Sequence, residues 1–423
     1  MNGLHRLACI LLIAAGAVTG ARAQIGVPGL PSLPVPPVTE PVTGTLRTAQ
    51  TAALAQVRAL RVRELLRTER ATVEADPDGH PILRRQIGSL SPTPEALERA
   101  RAAGFTVLRT ESLGALGMSL VVLQAPNGMS TRRALRRMRA LDPEGSYDYN
   151  HLYLDSGAQA ASVETSPSPA PAADASGLRV GLIDSGVDGT HATLAGATMV
   201  RHGCEGALHP AAHGTAVASA LVGRDGDFQG LLPGATLYAA DVFCGHGGGS
   251  IALLAVALDW MAQERVAVVN VSLVGAKSVL LTGIVRAMTR RGHLLVAAVG
   301  NDGPSAPPLF PAAYPEVVGV TGVDAGDRAL PEACRGEQVD FAAPGSGMHL
   351  AQSGGGFSEV RGTSFATPVV AGLLARSLQA PDTAAAQAAV ALLIAGAVDL
   401  GRKGFDTTYG HGLVGRGQLQ KTP

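Results

Sequence analysis

Three short stretches of this chain hold the residue types that nucleophilic catalysis needs. In "RGTSFATPVVAG", Arg361 to Gly372, Ser364 stands at the mouth of a run of small apolar residues. A serine hydroxyl is a weak nucleophile at neutral pH unless a base takes its proton. His213 offers that base, opening a helix of small residues in "AAHGTAVASALVG". Asp184 closes the apolar strand of "VGLIDSGVDGTH", where a carboxylate is costly without strong partners. Taken singly each has an ordinary reading: a strand-end cap, a satisfied surface histidine, a helix N-cap. The order Asp, His, Ser is one of three chain orders known for a single acid–base–nucleophile geometry.

The elements around these residues fit that geometry. "LRVGLID", "ATLYAADVF", "VAVVNVSL" and "HLLVAAVG" are continuous apolar runs, as buried parallel strands are. Helical segments such as "IALLAVALDWMAQE" and "SVLLTGIVRAMTRRG" lie between them. The expected fold class is α/β, a doubly wound, mostly parallel sheet with helices on both faces, whose ligands sit outside the carboxyl ends of the strands.

From about 177 to 419 the chain resembles the subtilisin-like serine proteases. The blocks that carry the resemblance are the three above, with "VVNVSL", "VAAVGNDGP" and the closing "YGHGLV". It implies Asp184 as orienter, His213 as general base, Ser364 as nucleophile, and the Asn301 side-chain amide as an oxyanion donor. It also implies that Gly247, Gly248 and Gly249 of "GHGGGS" flank an extended polypeptide substrate on one side. Ser272, Leu273 and Val274 would flank it on the other. Val274 stands where relatives usually carry glycine. Leu309, in "APPLFPAAYP", stands where many have glycine at the floor of the main specificity pocket. A shallower pocket, favouring small or medium apolar side chains, is expected. Relatives commonly hold a structural calcium, but no cluster of oxygen ligands is legible here, and no cofactor is expected to be required.

Upstream lies a second compact region. "PILRRQIGSL", "FTVLRTESL", "MSLVVLQAP" and "SYDYNHLYL" read as strands, interleaved with two helices in a β-α-β-β-α-β order. Thr93, Pro94 and Gly104 punctuate the first helix. The second puts Ala134, Leu135, Met138 and Leu141 on one face and five arginines elsewhere, a solvated face over a small sheet. This ferredoxin-like α+β unit resembles the propeptide of the same enzymes. The resemblance implies a chaperone and inhibitor partner within the chain, with cleavage after Tyr153 or Leu154 or inside the following linker. A permanently attached domain is the alternative.

The expected organisation is a signal peptide (1–23), a Pro-rich tether (24–45), a helical segment (46–79), the propeptide-like unit (80–155), an Ala/Ser/Pro linker (156–176) and the catalytic domain (177–423). The signal rests on His5 and Arg6, an apolar stretch from Leu7 to Val18, and Ala21-Arg22-Ala23, a small-x-small cleavage pattern. That stretch is too short to span a bilayer comfortably, so export to the periplasm or medium is expected, with no stable membrane anchor. The helical segment carries Leu54, Val57 and Leu65 on one side, with no legible role. The Ala-rich run 384–398 is also too short to span, and a buried helix is expected there.

Lys+Arg and Asp+Glu both number 34, so bulk charge favours neither nucleic acid nor an anionic membrane as partner. Hydrophobic residues at 46% and charged ones at 16% suit a well-buried interior. Once Cys9 leaves with the signal, Cys204, Cys244 and Cys334 remain. One bridge and one free thiol is the simplest arithmetic, with Cys204–Cys244 expected because both fall in loops beside the proposed site. Three rivals stand beside the protease reading. His202, Cys204, His209 and His213 cluster as metal sites do, although at no standard zinc spacing. A silent relative acting as a binding protein is the second. The third is a transpeptidase, which passes the acyl group to an amine.

Overall fold

The computed structural model describes residues 57–155, 158–163, 173–226 and 228–419, all within one unit spanning Leu46–Pro423. The expected signal peptide and tether lie outside the described residues, as do the start of the helical segment and most of the linker.

The first layer runs α1 (Val57–Thr68), β1 (Val73–Ala75), β2 (Pro81–Leu90), α2 (Pro94–Ala102), β3 (Thr106–Leu113), β4 (Met118–Gln124), α3 (Thr131–Leu141) and β5 (Ser146–Asp155). Its antiparallel core has the strand order β5-β2-β4-β3. Both core helices start where the side chains dictate. Thr93 accepts from the Ala96 N–H ahead of Pro94, and Ser130 accepts from the Arg133 N–H. On α3, Ala134, Leu135 and Met138 are buried while Arg132, Arg133, Arg136, Arg137 and Arg139 are exposed. The helical segment expected over 46–79 is shorter: α1 stops at Thr68, and β1 already pairs with β2. The Val73–Ala75 run was too short to show strand periodicity.

The linker also departs from expectation. Residues Ala158–Val163 form β6, a strand in a three-stranded sheet rather than structureless chain.

The second layer begins with β7 (Arg179–Asp184) and β8 (Met199–His202), then α4 (Ala212–Val222) and β9 (Thr236–Asp241). Next come β10 (Gly249–Ser250), α5 (Ile251–Gln263), β11 (Val268–Val271), β12 (Leu273–Val274), α6 (Val279–Arg290) and β13 (Leu294–Ala298). Then follow β14 (Val318–Val323), β15 (Phe341–Pro344), β16 (Ser346–Ala351), β17 (Phe357–Arg361), α7 (Thr363–Ser377) and α8 (Thr383–Gly396). Seven parallel strands form one sheet in the order β15-β14-β13-β11-β7-β9-β8. Its inner strands are largely apolar because both faces are covered, whereas the edge strand β8 (MVRH) is partly exposed. Alternate residues point to opposite sides: Val180, Leu182 and Val296 join the core under α4 and α7, while Ile183, Leu295 and Ala297 join the core under α5 and α6. Sequence order reverses direction at β7, which lies between β9 and β11. The carboxyl ends of β7, β9, β11 and β13 therefore meet at one edge, where this architecture binds ligands.

The first layer packs on the α5/α6 face. Leu120 and Val122 of β4 enter that core, while Val121 and Leu123 face the layer's own helices. Polar ties cross the same interface. The Asp148 carboxylate accepts from the Val279 N–H (3.0 Å), at the positive end of α6. Asp259 accepts from the Leu116 N–H (2.9 Å).

The Ala-rich run expected to be buried is α8, and it lies on the surface. Only Ala386 and Ala389 are fully covered, and Leu392 is 66% exposed. Composition overstated its burial: a narrow stripe of Ala386, Ala389, Val390 and Leu393 seats it. Among the described residues no helix is long and apolar enough to cross a membrane.

Candidate active site

Asp184 ends β7 with no exposure to solvent. One oxygen, Oδ1, accepts three hydrogen bonds: from the Ser185 N–H (2.7 Å), the Ser185 hydroxyl (3.1 Å) and His213 Nδ1 (2.8 Å). Ser185 Oγ in turn accepts from the Gly214 N–H (3.0 Å), locking the first turn of α4 onto the strand end. This double use of Ser185 was not anticipated. Its signal was the small polar residue directly after the strand-ending aspartate.

His213 is buried, and burial alone pushes its pKa down. The charge and hydrogen bond of Asp184 more than offset this, so the pKa is raised above the ordinary value of 6.5. With Nδ1 committed to Asp184, Nε2 is the atom left to exchange a proton. It is buried without a hydrogen-bond partner in this structure. The ring lies 5.2 Å from that of Phe365, centroid to centroid, beside Ser364.

Ser364 is in the first turn of α7, after Gly362 at φ 137°. Its hydroxyl donates to the Ser272 carbonyl (3.2 Å). Ser272 Oγ accepts from Asn270 Nδ2 (2.9 Å) and donates to the Ser364 carbonyl (2.9 Å), so β11 grips the serine from below. Asn270 was missed as well, although an asparagine inside "VVNVSL" is a visible break in an apolar run. The loop after β13 approaches from the other side. The Thr363 N–H donates to Asn301 Oδ1 (3.1 Å), and the Gly300 N–H donates to Thr363 Oγ1 (3.2 Å). This leaves the NH2 end of Asn301 as its donor, beside a helix N-terminus that favours negative charge.

The expected strand-binding residues converge too. Gly249 pairs with Tyr153 and Ser250 with Leu152, while Leu273 pairs with Asp155 and Val274 with Leu154. Strand β5 thus lies antiparallel between β10 and β12, and its last described residue is level with the one after Ser272. Side chains would obstruct it at two positions. A Cβ on Gly248 would come within 3.0 Å of the Tyr153 carbonyl, and one on Gly275 within 2.6 Å of the Tyr153 ring. Tyr153 itself is fully buried, its hydroxyl donating to the Ala276 carbonyl (2.6 Å). Gly247 sits under the Leu65 side chain. Leu309 is buried against Gly300, and its neighbour Phe310 bridges Gly275.

Cys204 and Cys244 are bridged, which leaves Cys334 as the free cysteine among the described residues. Cys334 is buried beside Gly300, and burial pushes its thiol up to about 12. Three of the four residues of the metal alternative are committed elsewhere. His202 stacks on Trp260 (4.7 Å), His213 is bound to Asp184, and the Cys204 sulfur is in the disulfide. The fourth, His209, does lie with Cys204 and Asp241, their ligand atoms within 4.8 Å of one another, but that sulfur is the bridged one.

If Asp184 holds His213 as described, Asp184→Asn in a Ser364→Ala chain should drop the imidazole pKa below 6.5, since only the burial penalty and weaker charges remain. An NMR pH titration of the histidine ring checks this.

Residues 175–412 match the model of the Subtilase family. Subtilisin E of Bacillus subtilis is 31% identical over 217 residues, covering 49% of this chain and 57% of its own. M-protease of Shouchella clausii is 32% identical over 246 residues, covering 56% and 64%. The chain thus spans somewhat under two thirds of these relatives' lengths. The crystal structure of fervidolysin from Fervidobacterium pennivorans, described as a keratinolytic enzyme related to subtilisin, shares the fold. Its TM-score is 0.66 at 21% identity, over 81% of this chain and 61% of that one.

Proposed function

The chain belongs to the subtilase family, and on that footing we propose that it is an exported serine endopeptidase, made as a zymogen that cuts itself. The observation that carries the proposal is β5, a length of polypeptide held as an added strand between β10 and β12 and leading to Ser364.

A χ1 rotation takes the Ser364 hydroxyl from the Ser272 carbonyl to His213 Nε2. As Oγ bonds to the scissile carbonyl carbon, its proton passes to Nε2, and Asp184 stabilises the imidazolium. The carbonyl oxygen, now negative, is met by the Ser364 N–H and the Asn301 amide. In subtilisin, a member of this family, removing one such donor costs about a hundred- to a thousand-fold in rate. Nε2 then returns the proton to the leaving amine as the C–N bond breaks. Water repeats the sequence on the acyl-enzyme. No cofactor takes part in this scheme.

The residues from Ala158 onward support a cut inside the chain itself. Ala158 pairs with Arg361, three residues before Ser364, while Asp155 pairs with Leu273 across the cleft. We place the self-cleaved bond between Asp155 and Ala158, at the start of the linker and beyond the ladder holding Tyr153 and Leu154. The layer ending at Asp155 is then the inhibitor, its last strand left in the cleft as product. The N-terminal stretch 1–23 is its export signal, and the periplasm or the medium its destination.

Wild-type chain should react with a fluorophosphonate probe and appear as two pieces by intact mass, whereas Ser364→Ala should do neither. Identical intact masses would defeat self-cleavage. The rate of self-cleavage should fall on the acid side with a midpoint above 6.5, because only neutral His213 accepts the proton and its pKa is raised. A rate unchanged down to about pH 4 would remove His213 from its role. Leu309 should restrict the residue before the cut to small or medium apolar side chains. Leu309→Gly should shift a peptide-library profile toward Phe and Tyr.

A further inference from the structure

Helix α1 precedes the β-α-β-β-α-β unit and is not needed to complete it, yet it reaches the rim of the cleft. Arg58 Nε donates to Asp302 Oδ2 at 2.7 Å, with the two side chains only 16% and 18% exposed. Asp302 directly follows Asn301. One turn further on, Arg61 pairs with the carboxylate of Asp155, the last residue of β5, and reaches its carbonyl as well. Both charges of that pair act on His213, with opposite sign. Val62 and Leu65 are buried against Val73, Leu152 and Leu154. Positions 58, 61, 62 and 65 follow the i, i+3, i+4, i+7 spacing of one helical face. Leu60 and Arg63, off that face, are exposed. The gripping face therefore touches two bodies at once: the catalytic layer through Arg58, and the cleft-bound strand through Arg61, Val62 and Leu65.

Apart from the buried Tyr153 side chain, the strand's backbone hold on the cleft is short. Its ladders to β10 and β12 run for two residue pairs each. Ladders that short open readily unless something covers them. A second contact on the same chain raises the effective concentration of the first.

We propose that α1 is a clamp: by joining Asp302 on the catalytic rim to Asp155 at the end of β5, it holds the inhibitory strand in the cleft and sets the rate of its release. The proposal takes its inhibitory sense from the preceding subsection. The surface that receives the helix is a docking site for a basic amphipathic segment of this same chain.

The test uses the full chain. In a Ser364→Ala background, hydrogen exchange at the amides of 152–155 should be about fivefold faster in Arg58→Glu, the size expected for losing a partly buried ion pair. Adding Asp302→Arg should bring it back to within about twofold of the parent, since the charges are swapped and the pair can re-form. In chains with Ser364 intact, Arg58→Glu should shorten the lag before peptide hydrolysis by a similar factor. Equal exchange in parent and Arg58→Glu would overturn the clamp, as would a double variant no slower than the single. Exchange that responds as expected in a chain whose Ser364 form never self-cleaves would retain the clamp and reject self-processing.

Discussion

A carboxylate with no access to water is the constraint around which this molecule is built. Left alone at the end of β7, Asp184 would cost several kcal/mol in lost hydration. Its tolerance rests on three donors converging on a single oxygen, one of them an imidazole. That convergence requires the strand end, the first turn of α4 and the Ser185 hydroxyl to sit within hydrogen-bond reach of one another, which close packing at Gly214 permits. The same contact fixes the histidine's tautomer. A single buried interaction therefore holds the fold together at its ligand-binding edge and occupies Nδ1, so that Nε2 is the other ring nitrogen.

Around that point the two layers share their stabilising contacts. The sheet of the first layer is covered on one side by its own helices and on the other by α5 and α6, so neither layer buries its apolar surface alone. Alternation along β4 makes this visible: Leu120 and Val122 serve one core, Val121 and Leu123 the other. The Asp148 carboxylate at the start of α6 adds a charge where the helix dipole favours it. Such an interface positions β5 before any chemistry occurs.

Much of this was legible in sequence because it is written locally. An apolar run closed by Asp184 marked a strand end, and Thr93 marked a helix start that the structure reproduces. The β-α-β-β-α-β order could be read from alternation of period. The remainder depends on partners distant in sequence. Asn270 and Ser185 look incidental until Ser364 and Gly214 arrive beside them. Strand β6, AQAASV, shows no period-two apolar alternation, so nothing local marked its pairing with β17. Helix α8 misled because alanine content says little about which face is covered. Nor could α1 be understood from its periodicity, because its meaning lies in Asp302, 244 residues from Arg58.

The unpaired thiol of Cys334 has a consequence of its own. Held near a pKa of about 12, it offers almost no thiolate at physiological pH. It therefore resists oxidants and disulfide exchange while folded, even though the chain carries a bridge elsewhere. Because it lies against Gly300, beside the loop that carries Asn301, it gains reactivity only when that corner comes apart. The molecule thus contains a silent chemical gauge of breathing at its reaction centre, readable without any added label.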